Sequence, residues 1–295
     1  MSYDARINEI AAIANEAFYD SANTEDYLGV APHMKHKVLR DLYSELILEV
    51  FNAALMYRTP RVLDIGAGEG AASLPFLELG GKVTAIDISR GMLEALQHKC
   101  QARGHELEIV CSDVFEALKT MRKERRQFDI IAASSFLHHI PDYLQLMRDT
   151  LPLLSEQSLF FSFQDPLRFD SVGKTTKTFS NLTHYTWRVI KGDELGGIKR
   201  HFRRKHGADE NNQEDYTEYH YFRNGVDQDA IRSLFDEFGY DCRIISYFST
   251  QSDFWLSGGS MMKLTNTFAF VARSKTVGAT ASNRNVASRS KSSPV

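Results

Sequence analysis

The segment Arg61-Val62-Leu63-Asp64-Ile65-Gly66-Ala67-Gly68-Glu69-Gly70 constrains this chain more than any other. It reads as a short buried strand with an acid near its end, then a glycine-rich turn, then the start of a helix. Gly66 and Gly68 lack a Cβ, so backbone there can approach a ligand beside the N-terminus of the next helix. Turns of this kind serve nicotinamide, flavin and adenosylmethionine sites alike, and some are only tight structural turns. The segment therefore fixes a strand–turn–helix unit and leaves the ligand open.

From about Arg61 to Ser162 short apolar runs alternate with amphipathic stretches, the pattern of parallel strands and their crossover helices. Strands are expected at Arg61–Ile65, Lys82–Asp87, Glu106–Cys111, Phe128–Ala133 and Ser158–Phe163. Helices are expected near Ala71–Leu79, Gly91–Arg103, Val114–Arg122 and Asp142–Leu151. The fold class is thus a doubly wound α/β sheet. Tyr3–Phe18 and His36–Met56 carry apolar residues at helical spacing, and residues 1–57 are expected to form a helical cap on the sheet or over its cleft. Residues 58–274 hold the α/β domain. Within it, residues 166–224 break the alternation and are too long for a simple connection, which points to an inserted lid. Asp227 then caps a helix over Ala230–Phe238, Gly239 closes it, and Tyr240–Phe248 and Thr265–Arg273 read as a final strand pair. The Ser-, Ala-, Arg- and Lys-rich stretch 275–295 is expected to be a disordered tail.

Bulk properties narrow the partners. Lys+Arg 35 against Asp+Glu 38 leaves a net charge of −3, too little for a global field that would draw in nucleic acid or an anionic membrane, and neither is expected as a partner. No apolar run is long enough to span a bilayer, and the N-terminus lacks a basic start followed by an apolar stretch. Three cysteines without metal-ligand spacing fit a reduced compartment. A cytoplasmic protein, monomeric or homodimeric, is the expectation.

Two further acids sit at strand ends. Asp87 closes the second strand where a ribose would lie, and a carboxylate there can accept bonds from both ribose hydroxyls. A dinucleotide enzyme would use the same acid. The third strand ends in Cys111-Ser112-Asp113-Val114, where Asp113 can take an adenine amino group, cap the next helix, or do both. Ile88 and Met92 would cover the faces of the ring.

With Phe128-Asp129-Ile130-Ile131-Ala132-Ala133-Ser134-Ser135-Phe136-Leu137-His138-His139-Ile140-Pro141-Asp142, these ordered motifs resemble the class I S-adenosylmethionine-dependent methyltransferases, in particular the broad small-molecule group. The resemblance covers about Val38 to Ser162. It implies a Rossmann-like sheet of seven mostly parallel strands with an antiparallel last strand. It also implies S-adenosylmethionine as cofactor and methyl transfer to an oxygen, nitrogen or carbon of a small-molecule acceptor. Position by position, it implies that Gly66, Ala67 and Gly68 border the methionine part, Asp87 binds the ribose, and Asp113 and Val114 meet the adenine. Ser134 and Ser135 would lie by the methyl donor. Asp64 is expected to act through the loop or through water near the amino group, and Tyr19 and Tyr27 to meet the carboxylate.

Because the methyl group already carries a good leaving group, alignment and exclusion of water can supply most of the acceleration. A base is needed only for a protonated acceptor, and His139 and His138, just after the fourth strand, are the catalytic candidates, although His138 could simply pack or cap. In the insertion, His184, Tyr185, Trp187, Tyr219 and Tyr221 could shape an acceptor pocket or only hold a lid together. His33, near the start of a helix, could also approach the cleft. No Cys, His or carboxylate set argues for a metal, although Asp142 and Asp165 keep a magnesium-dependent O-methylation open. The basic run Lys199–His206 is matched by acids between Asp209 and Glu218, as in a solvated, paired surface. Three competing functions stay open. Protein or RNA methylation would require an open cleft with a basic rim. The other two are a nicotinamide oxidoreductase and a non-catalytic cofactor-binding module.

Overall fold

The computed structural model describes residues 3–21, 31–56, 58–191 and 224–275. Tyr27, Tyr219, Tyr221, the charge runs near residues 199–218 and the tail beyond residue 275 lie outside the described residues, as do the side chains of His184 and Trp187. Seven strands form one sheet: β1 Arg61–Ile65, β2 Lys82–Asp87, β3 Glu108–Cys111, β4 Phe128–Ser134, β5 Leu154–Pro166, β6 Tyr240–Tyr247 and β7 Thr267–Ser274. Their order is β3-β2-β1-β4-β5-β7-β6, with β1 to β5 parallel and β7 antiparallel to both its neighbours. This is the doubly wound sheet with an antiparallel last strand that the resemblance implied.

Alternate strand residues point to opposite faces. Leu63, Ile65, Ile131, Ala133 and Phe160 go to one side, and Val62, Ile130, Ala132, Phe161 and Phe163 to the other. A strand covered on both faces must be apolar throughout, which is why β4 reads as a nearly unbroken run. The helices are α1 Tyr3–Ser21, α2 Pro32–Lys35, α3 Lys37–Leu55, α4 Ser73–Glu78, α5 Arg90–Ala102, α6 Val114–Lys123, α7 Tyr143–Thr150, α8 Lys174–Lys191, α9 Gln228–Glu237 and α10 Asp253–Met261. Ile47 and Phe51 of α3, Phe76 of α4 and Leu96 of α5 fill one face, and Leu118 of α6, Leu146 of α7 and Phe235 of α9 the other. Asp113, Asp142 and Asp227 start α6, α7 and α9 by accepting first-turn amides, and Ser89 starts α5.

β5 and α10 depart most from the sequence reading, while β3 and β7 each begin two residues later than expected, at Glu108 and Thr267. β5 begins at Leu154 rather than Ser158, because Ser155, Glu156 and Gln157 interrupt the apolar pattern without ending the strand. α10 was not expected, since Gly258 and Gly259 are poor helix formers. Gly259 has a packing reason: a Cβ there would stand 2.2 Å from the Phe248 ring. The start of the 166–224 stretch is helical as α8, and its Phe179 packs on Phe248 and on Trp255 of α10, with ring centroids 5.6 and 5.3 Å apart.

α1 crosses the carboxyl ends of the strands. Near one end Asn8 Oδ1 accepts from the Asp142 amide at 3.1 Å, and near the other Asp20 Oδ1 accepts from Ser89 Oγ at 2.6 Å and from the Gly91 amide at 3.4 Å. The step of 12 residues from Asn8 to Asp20 spans roughly 18 Å of helix. The α2–α3 junction is fastened separately: buried His36 bonds Asp253 through Nδ1 and the Thr250 carbonyl through Nε2, the latter at 2.9 Å. Among the described residues no helix is long and apolar enough to cross a membrane.

Candidate functional site

A cleft opens beyond the carboxyl ends of β1 to β4, with Ala11, Ala12, Asn15 and Tyr19 of α1 forming one wall. Open α/β sheets bind ligands at this edge, where the connections from β1 and β4 diverge to opposite faces. The space between the cleft's walls, open mouth included, comes to about 1080 Å³.

The floor is the turn after β1. Gly66 and Ala67 both donate to the Ile86 carbonyl at 2.9 Å, which bends the chain sharply, and Gly66 has φ +68°. A Cβ at Gly66 would stand 2.1 Å from Phe136, whereas one at Gly68 would meet nothing within 4 Å. Gly66 is thus demanded by packing, and Gly68 leaves backbone bare beside the cleft. Asp87 braces the turn: its Oδ2 accepts from the Gly68 amide at 2.8 Å and its Oδ1 from the Ser89 amide at 2.9 Å. Asp87 also lines the cleft, where its carboxylate can accept from a ligand hydroxyl. Burial raises the Asp87 pKa, opposed by those amide bonds. Asp113 lines the cleft as well as capping α6, accepting from Phe115 at 2.9 Å and Glu116 at 3.3 Å. Burial raises its pKa too. Ile88, Met92 and Val114 supply apolar wall between the two acids.

Asp64 is placed differently. It is buried, accepts from Ser73 Oγ at 2.6 Å and does not line the cleft, and burial lifts its pKa to about 6. It supports the turn from behind.

On the β4 side, Ser134 bonds Tyr43 across 2.8 Å and lines the cleft, and Ser135 follows at φ +54°, a strained setting for a residue with a side chain. His139 also lines the cleft, with Nε2 3.1 Å from the Tyr19 hydroxyl. His138 does not line it. Its Nδ1 bonds buried Asp165 at 2.8 Å, and Asp165 in turn accepts from Ser162 Oγ at 2.8 Å. Asp165 and Asp142 are therefore taken by His138 and by the α7 cap, and among the described residues no His, Cys, Asp or Glu group could hold a metal. Tyr185 is 67 % exposed on α8 and is not among the residues lining the cleft.

Polar atoms left over mark the same place. Among the described residues, the buried side-chain atoms without a hydrogen-bond partner are Asn15 Oδ1, Glu69 Oε1 and both ring nitrogens of His33, and all three residues line this cleft. Buried groups of this kind are costly unless something bonds them. Glu69 is held from one side by Lys99 of α5. His33 packs against Tyr43 and Phe163, with centroids 5.5 and 5.8 Å away, and burial lowers its pKa to about 4. Asn15, Asp20, Tyr43 and the Glu69–Lys99 pair were not read from sequence. Only Glu69 carried a signal, its place inside the glycine turn.

Comparison with known proteins agrees with this geometry. Residues 62–157 match a family profile described as a methyltransferase domain. A ubiquinone biosynthesis O-methyltransferase of Coxiella burnetii is 25 % identical over 122 residues, which is 41 % of this chain and 50 % of the relative, so the chain spans about half the length of the curated relatives it matches. Among solved structures, magnesium protoporphyrin IX methyltransferase from Synechocystis PCC 6803 with bound SAM aligns over 90 % of this chain and 97 % of its own, at 13 % identity and TM-score 0.51. A plantazolicin methyltransferase in complex with SAH aligns over 92 % of this chain and 100 % of its own, at 15 % identity and TM-score 0.53. At such identities the structural likeness speaks for the fold. The strand order, the glycine turn after β1 and the matched profile agree over residues 62–157, the stretch of this chain that is similar to a methyltransferase domain.

Proposed function

We propose that the chain transfers a methyl group from S-adenosylmethionine to a small-molecule acceptor by direct displacement. The observation that carries this reading is the convergence of the Gly66–Gly68 turn, Asp87 and Asp113 on one cleft whose far side is Ser134 and His139. The residues fit the cofactor. Bare backbone at Gly68 and the unbonded Glu69 Oε1 suit its amino-acid end, Asp87 its ribose, and Asp113 with Val114, Ile88 and Met92 its base. When bound, the cofactor supplies an electrophilic methyl on a sulfonium. The protein binds, orients and excludes water. Tyr19, placed by α1 against His139, fits the acceptor side of the cleft. In this reading residues 1–57 act as a cap and residues 166–224 as a lid on the 58–274 domain, and the protein works in the cytoplasm.

Methylation of RNA or protein is less well supported, because no Lys or Arg is found among the described residues lining the cleft. Calorimetry with S-adenosylmethionine, S-adenosylhomocysteine and NAD tests the reading. Binding of both sulfur compounds and not of NAD is the expected result, and tight binding of NAD alone would overturn it.

A further inference from the structure

The β4 side of the cleft carries a detail that cofactor binding does not use. His33 is 2 % exposed, faces the cleft, and has neither ring nitrogen bonded. Its ring is fixed from behind by Tyr43, which bonds Ser134 at the end of β4, and by Phe163 of β5. The cleft's carboxylates lie elsewhere: Asp87 and Asp113 end β2 and β3, on the other side of β1, and Glu69 is matched by Lys99. The surroundings therefore discriminate among acceptors. Among the described lining residues a cationic amine would find no carboxylate bonded to His33, and a carboxylate would find no Lys or Arg. A neutral hydroxyl can bond an unprotonated imidazole and needs no counter-charge.

Resting on the methyl-transfer reading above, we infer that the acceptor is a neutral hydroxyl compound, and that His33 is the residue that receives its proton. The acceptor oxygen forms its new bond to carbon as the carbon–sulfur bond breaks and sulfur keeps the electron pair. The hydroxyl proton passes to a free nitrogen of His33, and solvent takes it after product leaves. Burial lowers the affinity of His33 for protons, so the ring stands neutral at neutral pH with a lone pair for the hydroxyl's hydrogen bond, and a proton it receives in the displacement is passed on readily. His139, with Nε2 engaged by Tyr19, and His138, bonded to Asp165, are positioning residues in this scheme.

The test uses the full chain saturated with S-adenosylhomocysteine and phenol as the probe, followed by nitrogen NMR of the histidine rings. Phenol is expected to shift the His33 ring resonances, while toluene and benzylammonium leave them in place. His33→Phe, which keeps the ring-shaped filling, is expected to weaken phenol binding about 5-fold or more, the loss of one hydrogen bond, and His33→Gln to recover part of it. Affinity for S-adenosylhomocysteine should change by less than about 2-fold in either variant. Unmoved His33 resonances on adding phenol, an equal response to benzylammonium, or wild-type phenol affinity in His33→Phe would each overturn the proposal. The NMR result on the unaltered chain stands even if a variant fails to fold. Failure of the unaltered chain to bind S-adenosylhomocysteine would instead remove the methyl-transfer reading beneath it.

Discussion

Replacing Asp87 with alanine should damage binding far more than folding, and the structure gives a scale for both. Asp87 lines the cleft, where a carboxylate can accept from both ribose hydroxyls, and bonds to a charged acceptor are worth about 1.5–3 kcal/mol apiece. Losing two should weaken S-adenosylhomocysteine binding roughly 100- to 10,000-fold. The fold does not escape, as a site-only role would allow, because the Gly68 and Ser89 amides lose their acceptor. Two stranded donors cost about 1–3 kcal/mol each, partly offset by removing a carboxylate whose ionisation burial already disfavours. A melting-point drop of several degrees, about 2–4 °C per kcal/mol, is expected. Asp87→Asn keeps one acceptor oxygen and should fall between. The assay is calorimetric titration with S-adenosylhomocysteine beside melting curves with and without it, since a ligand that binds only the folded state raises the melting point by mass action. Affinity within about threefold of wild type in the alanine variant would refute both the ribose role and the geometry behind it.

Three further outcomes are expected. Gly66→Ala combines a φ of +68° with a contact 2.1 Å from Phe136, so it should unfold at lower temperature and lose cofactor binding, whereas Gly68→Ala, with nothing within 4 Å of the new carbon, should chiefly lose binding; melting curves with and without ligand separate the two. Asp64 holds its proton more tightly folded, pKa about 6, than unfolded, 3.8, so stability should fall as pH rises through that window and stay level above it. Asp64→Asn lacks this step. Its melting point relative to wild type should therefore rise between about pH 4.5 and pH 7.5, by the equivalent of roughly 3 kcal/mol at most, and a constant difference would refute the assignment. Asp20→Ala removes the acceptor for Ser89 Oγ and the Gly91 amide and should speed release of S-adenosylhomocysteine in stopped-flow experiments, with little change in melting point.

What the sequence showed and hid follows from the range of the interactions. β1, β2 and β4 were legible because each is a short apolar run closed by a turn, and Asp87 and Asp113 because strand ends at this sheet edge bear on ligand. Capping is equally local, so Asp227 and the helix after it could be placed within a few residues. Pairings between distant residues were not legible. Asp165 finds His138 27 residues away, Tyr43 finds Ser134 91 residues away, and Asp20 finds Ser89 69 residues away. No periodicity announces such pairs, since they exist only once the sheet brings its connections together. His33 could be named from its place near a helix start, but not the state of its ring. What marks it is a missing bond in a buried setting, a property of the packed protein alone.

The crossing helix α1 also bears on timing. Its own apolar cluster is meagre, Ala11 and Ala14 with Ile7 and Ile10 beside them, and Ile13 and Phe18 face outward. Polar clasps at Asn8, Tyr19 and Asp20 fasten it beside that small cluster, so one end can let go without disturbing the layers beneath. A product nucleoside seated under such a bar would wait on a clasp to open, and unlatching of this kind can set the pace of an enzyme in place of bond exchange.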